Sequence, residues 1–182
     1  RLARVAAELR VPIVLMHNRG EARYTTLLPE ILADLQRAID RTLRAGVRWE
    51  DVVVDPLVMP IGAMGTAGRQ VFRIVRRLRE ELGVNTTCGA SNVSFGLPNR
   101  HGINAAFLTM AIGSGMTSAI TNPLHTETMQ AVMGADVMMG HDPDCMRWIR
   151  KYREVPAPGA AGTAEGAARG RREGGHRRRP TT

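Results

Sequence analysis

Aromatic side chains are scarce in this sequence: two Trp, two Tyr and three Phe make 4% of 182 residues, against ten Met. A core of this kind relies on aliphatic and Met side chains, which fill space adaptably and specify little. Cysteine is nearly absent. Cys88 and Cys145 stand far apart, without metal-type spacing, which excludes a clustered Cys/His zinc site and leaves two reduced thiols as the simple reading. No run of ~18 apolar residues occurs, so no membrane-spanning helix and a cytoplasmic setting are expected. An initiator Met and a signal-peptide pattern are also missing, and the chain opens at Arg1 inside an amphipathic segment, Leu2–Leu9. That is the look of a fragment without its amino-terminal portion.

The charge is not balanced. The formal net charge is +8, which invites a nucleic-acid reading, but its distribution argues against one. Residues 155–182 hold six Arg and two Glu, and the remaining excess is spread thinly over the rest. The basic stripe is therefore a tail feature, not a folded face. The tail opens with Pro156-Ala-Pro-Gly-Ala-Ala-Gly162 and continues as a Gly/Arg-rich run, a composition expected to be disordered. Residues 1–154 are expected to form the folded domain, and nucleic acid is not an expected partner.

What the sequence does have is a repeat of short apolar runs: Val11–Met16, Asp51–Asp55, Val84–Cys88 and Thr117–Thr121. Each has the length of a buried parallel strand, and their starts recur at the period of a strand–helix unit. Helical patterns fill the gaps over Leu28–Ala45, Ala67–Leu82, Ile103–Ile112, Thr126–Met139 and Asp142–Tyr152, with Asp142 as the cap of the last. Repeated βα units imply a parallel sheet with right-handed crossovers. Periodicity leaves two closures open, a doubly wound sheet or an eight-stranded barrel.

In either closure the site lies where strands end and loops begin. The residues there are Met16-His-Asn-Arg-Gly20, Asp55-Pro-Leu57, Gly89-Ala-Ser-Asn-Val-Ser-Phe-Gly96 and Thr121-Asn-Pro123. They are polar but nearly neutral, with no metal-binding acidic cluster and no placed Ser–His–Asp set, a composition suited to hydrogen bonding a heterocycle. Asp55 ends a strand of three valines. Its carboxylate can accept two N–H groups of an aminopyrimidine, or it can serve as a loop residue before Pro56. Asn92 offers both a donor and an acceptor, or it can stabilise a turn. His17, a lone histidine just past the first strand, reads first as a structural residue and only second as a functional one. Gly113-Ser-Gly115 precedes a strand rather than following one, the wrong order for a dinucleotide loop. In His141-Asp-Pro-Asp144 capping explains the carboxylates better than a metal does.

The stretches Asp51–Gly62 and Val84–Arg100, with Gly-Ala-Ser-Asn-Val-Ser-Phe-Gly-Leu-Pro-Asn at the centre of the second, resemble the methyltetrahydrofolate:corrinoid methyltransferases. The likeness continues through Ile103–Leu108, Met116–Leu124 and Trp148–Arg153. Residues 1–46, with Val14-Leu-Met-His-Asn-Arg-Gly20 and Tyr24…Leu28…Asp34-Leu35, look more like the related dihydropteroate synthases. The second half departs from the synthase pattern. Leu57-Val-Met-Pro60 stands in place of a Gly-rich phosphate loop with Lys, Ser91-Asn-Val93 in place of Ser-Arg-Lys, and Asn122-Pro123 in place of an Arg and His pair.

The resemblance implies an α/β fold, the carboxy-terminal half (strands five to eight) of a pterin-binding (β/α)8 TIM barrel. It implies that Asp55 holds the pterin ring and that Asn92, the catalytic residue, lies near the pterin N5. It implies further pterin contacts from Gly89, Ser91, Met16, Ile120 and Asn122, and no metal site. The implied reaction moves a methyl from N5 of methyltetrahydrofolate to Co(I) of a corrinoid (cobalamin) carried by a partner protein, in an enzyme that dimerises. Dihydropteroate synthesis and a non-catalytic remnant are the alternatives. Half a barrel would leave strand edges and apolar interior uncovered, so residues 1–182 alone are expected to fold poorly, to self-associate or to need the missing half.

Overall fold

The structure, a computed structural model, describes residues 1–17 and 28–153. The expected loop Asn18-Arg19-Gly20, Tyr24 and the expected disordered tail 155–182 lie outside the described residues. The chain divides into two units, Arg1–Lys151 and Tyr152–Thr182, and the first carries the elements that position the candidate site.

Helix α1 (Leu2–Leu9) leads into strand β1 (Ile13–Met16), followed after the undescribed loop by α2 (Leu28–Arg44). Strand β2 (Val52–Asp55) and α3 (Ala67–Arg77) form the next unit, then β3 (Asn85–Thr86) and α4 (Arg100–Gly113). Helices α5 (Thr126–Met138) and α6 (Met146–Tyr152) close the described part. In α2 the apolar spacing places Ile31, Leu35 and Ile39 in the core, each side chain contributing about 1.5–3 kcal/mol of burial. Glu30 in its first turn and Arg41 and Arg44 in its last suit the helix dipole. In α3, Val71, Ile74 and Val75 face inward. Its expected extension to Leu82 is a π turn, Leu78–Leu82, ended by left-handed Gly83. At α6, Asp142 caps as expected: its carboxylate accepts the N–H of Arg147 at 2.9 Å and of Trp148 at 3.0 Å.

Strands β1 and β2 pair in parallel with Ile13 beside Val52 and Met16 beside Asp55, and β2 pairs in parallel with β3. The second strand begins at Val52, not Asp51, because Asp51 closes a 3-10 turn and accepts the Nε–H of Arg48 at 2.7 Å. The fourth expected strand, Thr117–Thr121, is a correction. It runs beside β3 and bonds to it, with Ser118 N–H to Thr86 O and Ile120 N–H to Cys88 O. Yet only one bridge, Gly89 with Ile120, is regular. The Thr117 hydroxyl is the reason: it accepts the Thr86 N–H at 2.8 Å and donates to Thr86 O at 2.9 Å, replacing a backbone rung with a side chain. The third strand is shorter than expected, Asn85–Thr86, the two residues that pair with Val53 and Val54 of β2. Spatial order follows sequence order without reversal, unlike a doubly wound sheet, whose order turns back at a switch point.

Two clusters make the core. One gathers Ala6, Ile31, Leu35, Ile39, Val47, Val52, Val54, Ile74, Leu78 and Val84 around β1, β2 and α2. The other gathers Val58, Val71, Val75, Cys88, Ala90, Val93, Phe107, Leu108, Ala111 and Met116 beneath the loops that follow β2 and β3. The outer side of β1 leaves Val14 and Met16 exposed, alongside Leu2 and Leu9 of α1. No helix among the described residues is long and apolar enough to cross a membrane.

Candidate functional site

The register sets Met16 against Asp55 and Gly89 against Ile120 at one end of the sheet. That end also carries the loops with Ser91, Asn92 and Asn122. Asp55 is half-buried at the end of β2. Its Oδ1 accepts the N–H of Leu57 at 2.8 Å across Pro56, and Leu57 adopts a left-handed φ of 61° to allow it. A non-glycine residue in that region is strained by roughly 1–2 kcal/mol, and its left-handed backbone breaks the extended run that ends at Asp55. Oδ2 is left to other partners. Burial raises the Asp55 pKa above the ordinary carboxylate range, opposed by the Leu57 N–H. A partly desolvated carboxylate of this kind gains from N–H donors that a ligand brings.

Behind it lies Cys88, fully buried with Sγ 3.4 Å from Met116 Sδ. Burial, and then the Asp55 charge, push its thiol up to about 12. It is an inert packing group, not a nucleophile.

The loop Gly89–Ser94 is a 3-10 turn seated on Ala90 and Val93, both buried. It is tied to the loop after β2 by Ile61 N–H to Val93 O and to the fourth segment by Ala90 N–H to Ile120 O. Asn92 is exposed, and its side chain folds back over Gly89: a Cβ there would meet Asn92 Nδ2 at 3.0 Å. Glycine at 89 therefore gives the carboxamide its space. A polar network holds the turn from below. Arg100 at the start of α4 donates to Ser91 O at 2.7 Å and to Ser94 Oγ at 3.0 Å, with its guanidinium carbon 5.9 Å from the Phe95 ring centroid. Ser94 Oγ donates to Asn104 Oδ1 at 2.7 Å, and Asn104 Nδ2 reaches Ser91 Oγ at 3.5 Å. Arg100, Ser94 and Asn104 were not singled out by sequence reasoning. Ser94 stands within the long motif and Arg100 directly after it, but nothing local says that they face inward.

On the last loop Asn122 is exposed, with Oδ1 accepting Leu124 N–H at 2.9 Å and Nδ2 3.1 Å from His125 Nε2. The His125 ring meets His101 edge-on, with centroids 4.1 Å apart. Ile120 is 71% exposed and Met16 44%, so both are open to a ligand or to covering chain. His17 is drawn away from this set: it is buried, with Nδ1 3.3 Å from Asp34 Oδ2 on α2. Among the described residues no group of three or more His, Cys, Asp or Glu could hold a metal.

A parallel sheet in sequence order thus carries one carboxylate and two carboxamides at its loop end, groups able to hydrogen-bond a polar heterocycle. The family model described as pterin binding enzyme matches residues 1–122, and the chain belongs to that family. A methylcorrinoid:tetrahydrofolate methyltransferase from Eubacterium limosum is 30% identical over 102 residues, covering 56% of this chain and 38% of that protein. A dihydropteroate synthase from Clostridium beijerinckii is 33% identical over 119 residues, covering 62% and 43% respectively. One from Bacillus subtilis is 48% identical over 56 residues, covering 31% and 20%. The chain thus spans less than half the length of these relatives. In fold, it matches a dihydropteroate synthase from Coxiella burnetii solved with pteroic acid. The TM-score is 0.59 at 23% identity, covering 77% of this chain and 55% of that one.

Proposed function

We propose that this chain is the carboxy-terminal half of a pterin-binding barrel, strands five to eight, in a methyltransferase. Its reaction moves a methyl from N5 of methyltetrahydrofolate to Co(I) of a corrinoid carried by a partner protein. The Eubacterium limosum relative is named for the opposite direction. The same groups serve both directions, since one transition state is crossed either way. The observation that carries the reading is the loop after β3. It offers the neutral carboxamide of Asn92 over Gly89, while the cation beside it, Arg100, is turned to Ser91 and Ser94. A pyrophosphate substrate needs cations directed at it. A neutral pterin needs a carboxylate and amides.

In this reading Asp55 accepts the N–H groups of the aminopyrimidine ring, and Ser91, Gly89, Met16, Ile120 and Asn122 bound the pocket. A tertiary amine is a poor leaving group. A donor that strengthens its bond to N5 in the transition state lowers the barrier, and Asn92 Nδ2 is that donor. The corrinoid supplies the nucleophilic cobalt, and the chain supplies position. Dihydropteroate synthesis is the second reading, favoured by the identities to the two synthases.

Titration calorimetry with methyltetrahydrofolate tests the first reading, on the parent and on Asn92→Ala. The parent should bind. The variant should lose about fivefold in affinity, the worth of one neutral hydrogen bond, and far more in transfer to cob(I)alamin. Condensation of p-aminobenzoate with a pterin pyrophosphate, without methyl transfer, would instead establish the synthase. Absence of pterin binding would show that residues 1–182 are not a working site by themselves and that the other half of the barrel is required.

A further inference from the structure

We infer that His125 is a positioning residue: in its neutral form, protonated on Nδ1, it fixes the carboxamide of Asn122 for the ligand. This rests on the reading that a pterin binds at this end of the sheet. The inference follows from donors and acceptors. The Leu124 N–H donates at 2.9 Å, so the Asn122 atom facing it is the oxygen. The other atom is the NH2, a donor, and it lies 3.1 Å from His125 Nε2. That nitrogen must then present a lone pair, which puts the ring proton on Nδ1 and leaves the imidazole uncharged. With one N–H and one oxygen lone pair so engaged, Asn122 keeps one of each for a ligand.

The ring itself is held. The backbone N–H of His125 donates to Asn122 O at 3.3 Å, and the backbone N–H of Met129 donates to His125 O at 3.0 Å, so the residue is built into the start of α5. His101 closes on the ring, with an interplanar angle of 64°. The ionisable groups on the two helix starts around the pair are Arg100 and His101 on α4 and Glu127 on α5.

Protonation of His125 would set two donors head to head at 3.1 Å. Asn122 would then swing away, or flip its amide and lose the Leu124 N–H. Either way the ligand loses a preset donor and acceptor.

The test is methyltetrahydrofolate affinity of the chain from pH 8 to 5.5, for the parent, His125→Phe and Asn122→Ala, together with ring and side-chain 15N spectra. Phe keeps the packing against His101 and removes the acceptor. Asp55 contributes its own acid-side loss in all three proteins, so the difference between profiles reads His125. At pH 8 the spectra should show the Nδ1–H tautomer, and the Asn122 NH2 resonance should move as His125 titrates. Parent affinity should fall toward acid by about fivefold more than that of His125→Phe. An Nε2–H tautomer at pH 8, or superimposable profiles for parent and His125→Phe, would overturn the inference. If spectra show the coupling but no protein binds the pterin at any pH, the pterin reading fails for this chain by itself and the positioning role falls with it. If the parent binds and the profiles coincide, only the positioning role falls.

Discussion

The two buried clusters differ in what they are made of and in what lies above them. Around β1, β2 and α2 the core is hydrocarbon throughout, supplied by regular strands and by helices whose apolar residues recur at helical spacing. Beneath the loops after β2 and β3 the core includes Cys88, Ala90 and Met116, and it supports a buried polar network of Ser94, Asn104 and Arg100. The first region is scaffold, stabilised by transfer of apolar surface from water. The second gives up regular pairing so that side chains can take backbone roles, as Thr117 does against Thr86. Stability is concentrated in one region and directional chemistry in the other.

The largest expected effect lies in the scaffold. Ile39 is wholly buried, and Ile39→Ala should cost about 2–5 kcal/mol through lost burial and a residual cavity. Thermal or urea melts measure it. A loss below 1 kcal/mol would mean that this core is loosely packed and that the contrast fails. In the second region Ser94→Ala removes the donor to Asn104 and an acceptor from Arg100. The cost should be about 1–3 kcal/mol, that of leaving buried polar groups unpaired. Amide exchange sharpens the comparison: protection should drop in the Gly89–Ser94 turn and persist in α2. Equal loss in both would show one cooperative unit without the proposed division.

The smallest effect concerns Asp55. Its pKa is raised by burial. A raised folded pKa means that its contribution to stability is fully present below the unfolded carboxylate value of about 3.9 and is lost as pH rises through the folded value. Asp55→Asn removes that loss and can still accept the Leu57 N–H. The variant should therefore melt slightly above the parent at neutral pH, with the gap closing toward pH 4, while pterin affinity drops. A variant less stable than the parent at neutral pH would show that ionised Asp55 is a structural asset and not a strained ligand-binding group.

Much was legible locally. The faces of α2 and α3 follow from apolar spacing, and the ends of their helical runs from Gly46 and left-handed Gly83, which are properties of a short window. The strand-end position of Asp55 follows from three valines and Pro56. The capping role of Asp142 was visible for the same reason. Beyond reach were features that join distant residues. Thr86 and Thr117 meet across a whole βα unit. Arg100 turns inward to Ser91 and Ser94, and His101 meets His125 from a different helix start. Reading His17 as a strand-end residue could not foresee that Asp34 holds it against α2.

The sequence by itself determined the βα rhythm, the helix faces and the neutral character of the strand-end loops, because these depend on residue type at local spacing. The tertiary structure alone decided the order of the strands, the replacement of a rung by the Thr117 hydroxyl, the raised pKa of Asp55 and the edge-on meeting of His101 with His125. Each of these depends on the solvent exclusion and the hydrogen-bond partner that a group finds only when remote segments are brought within a few ångströms.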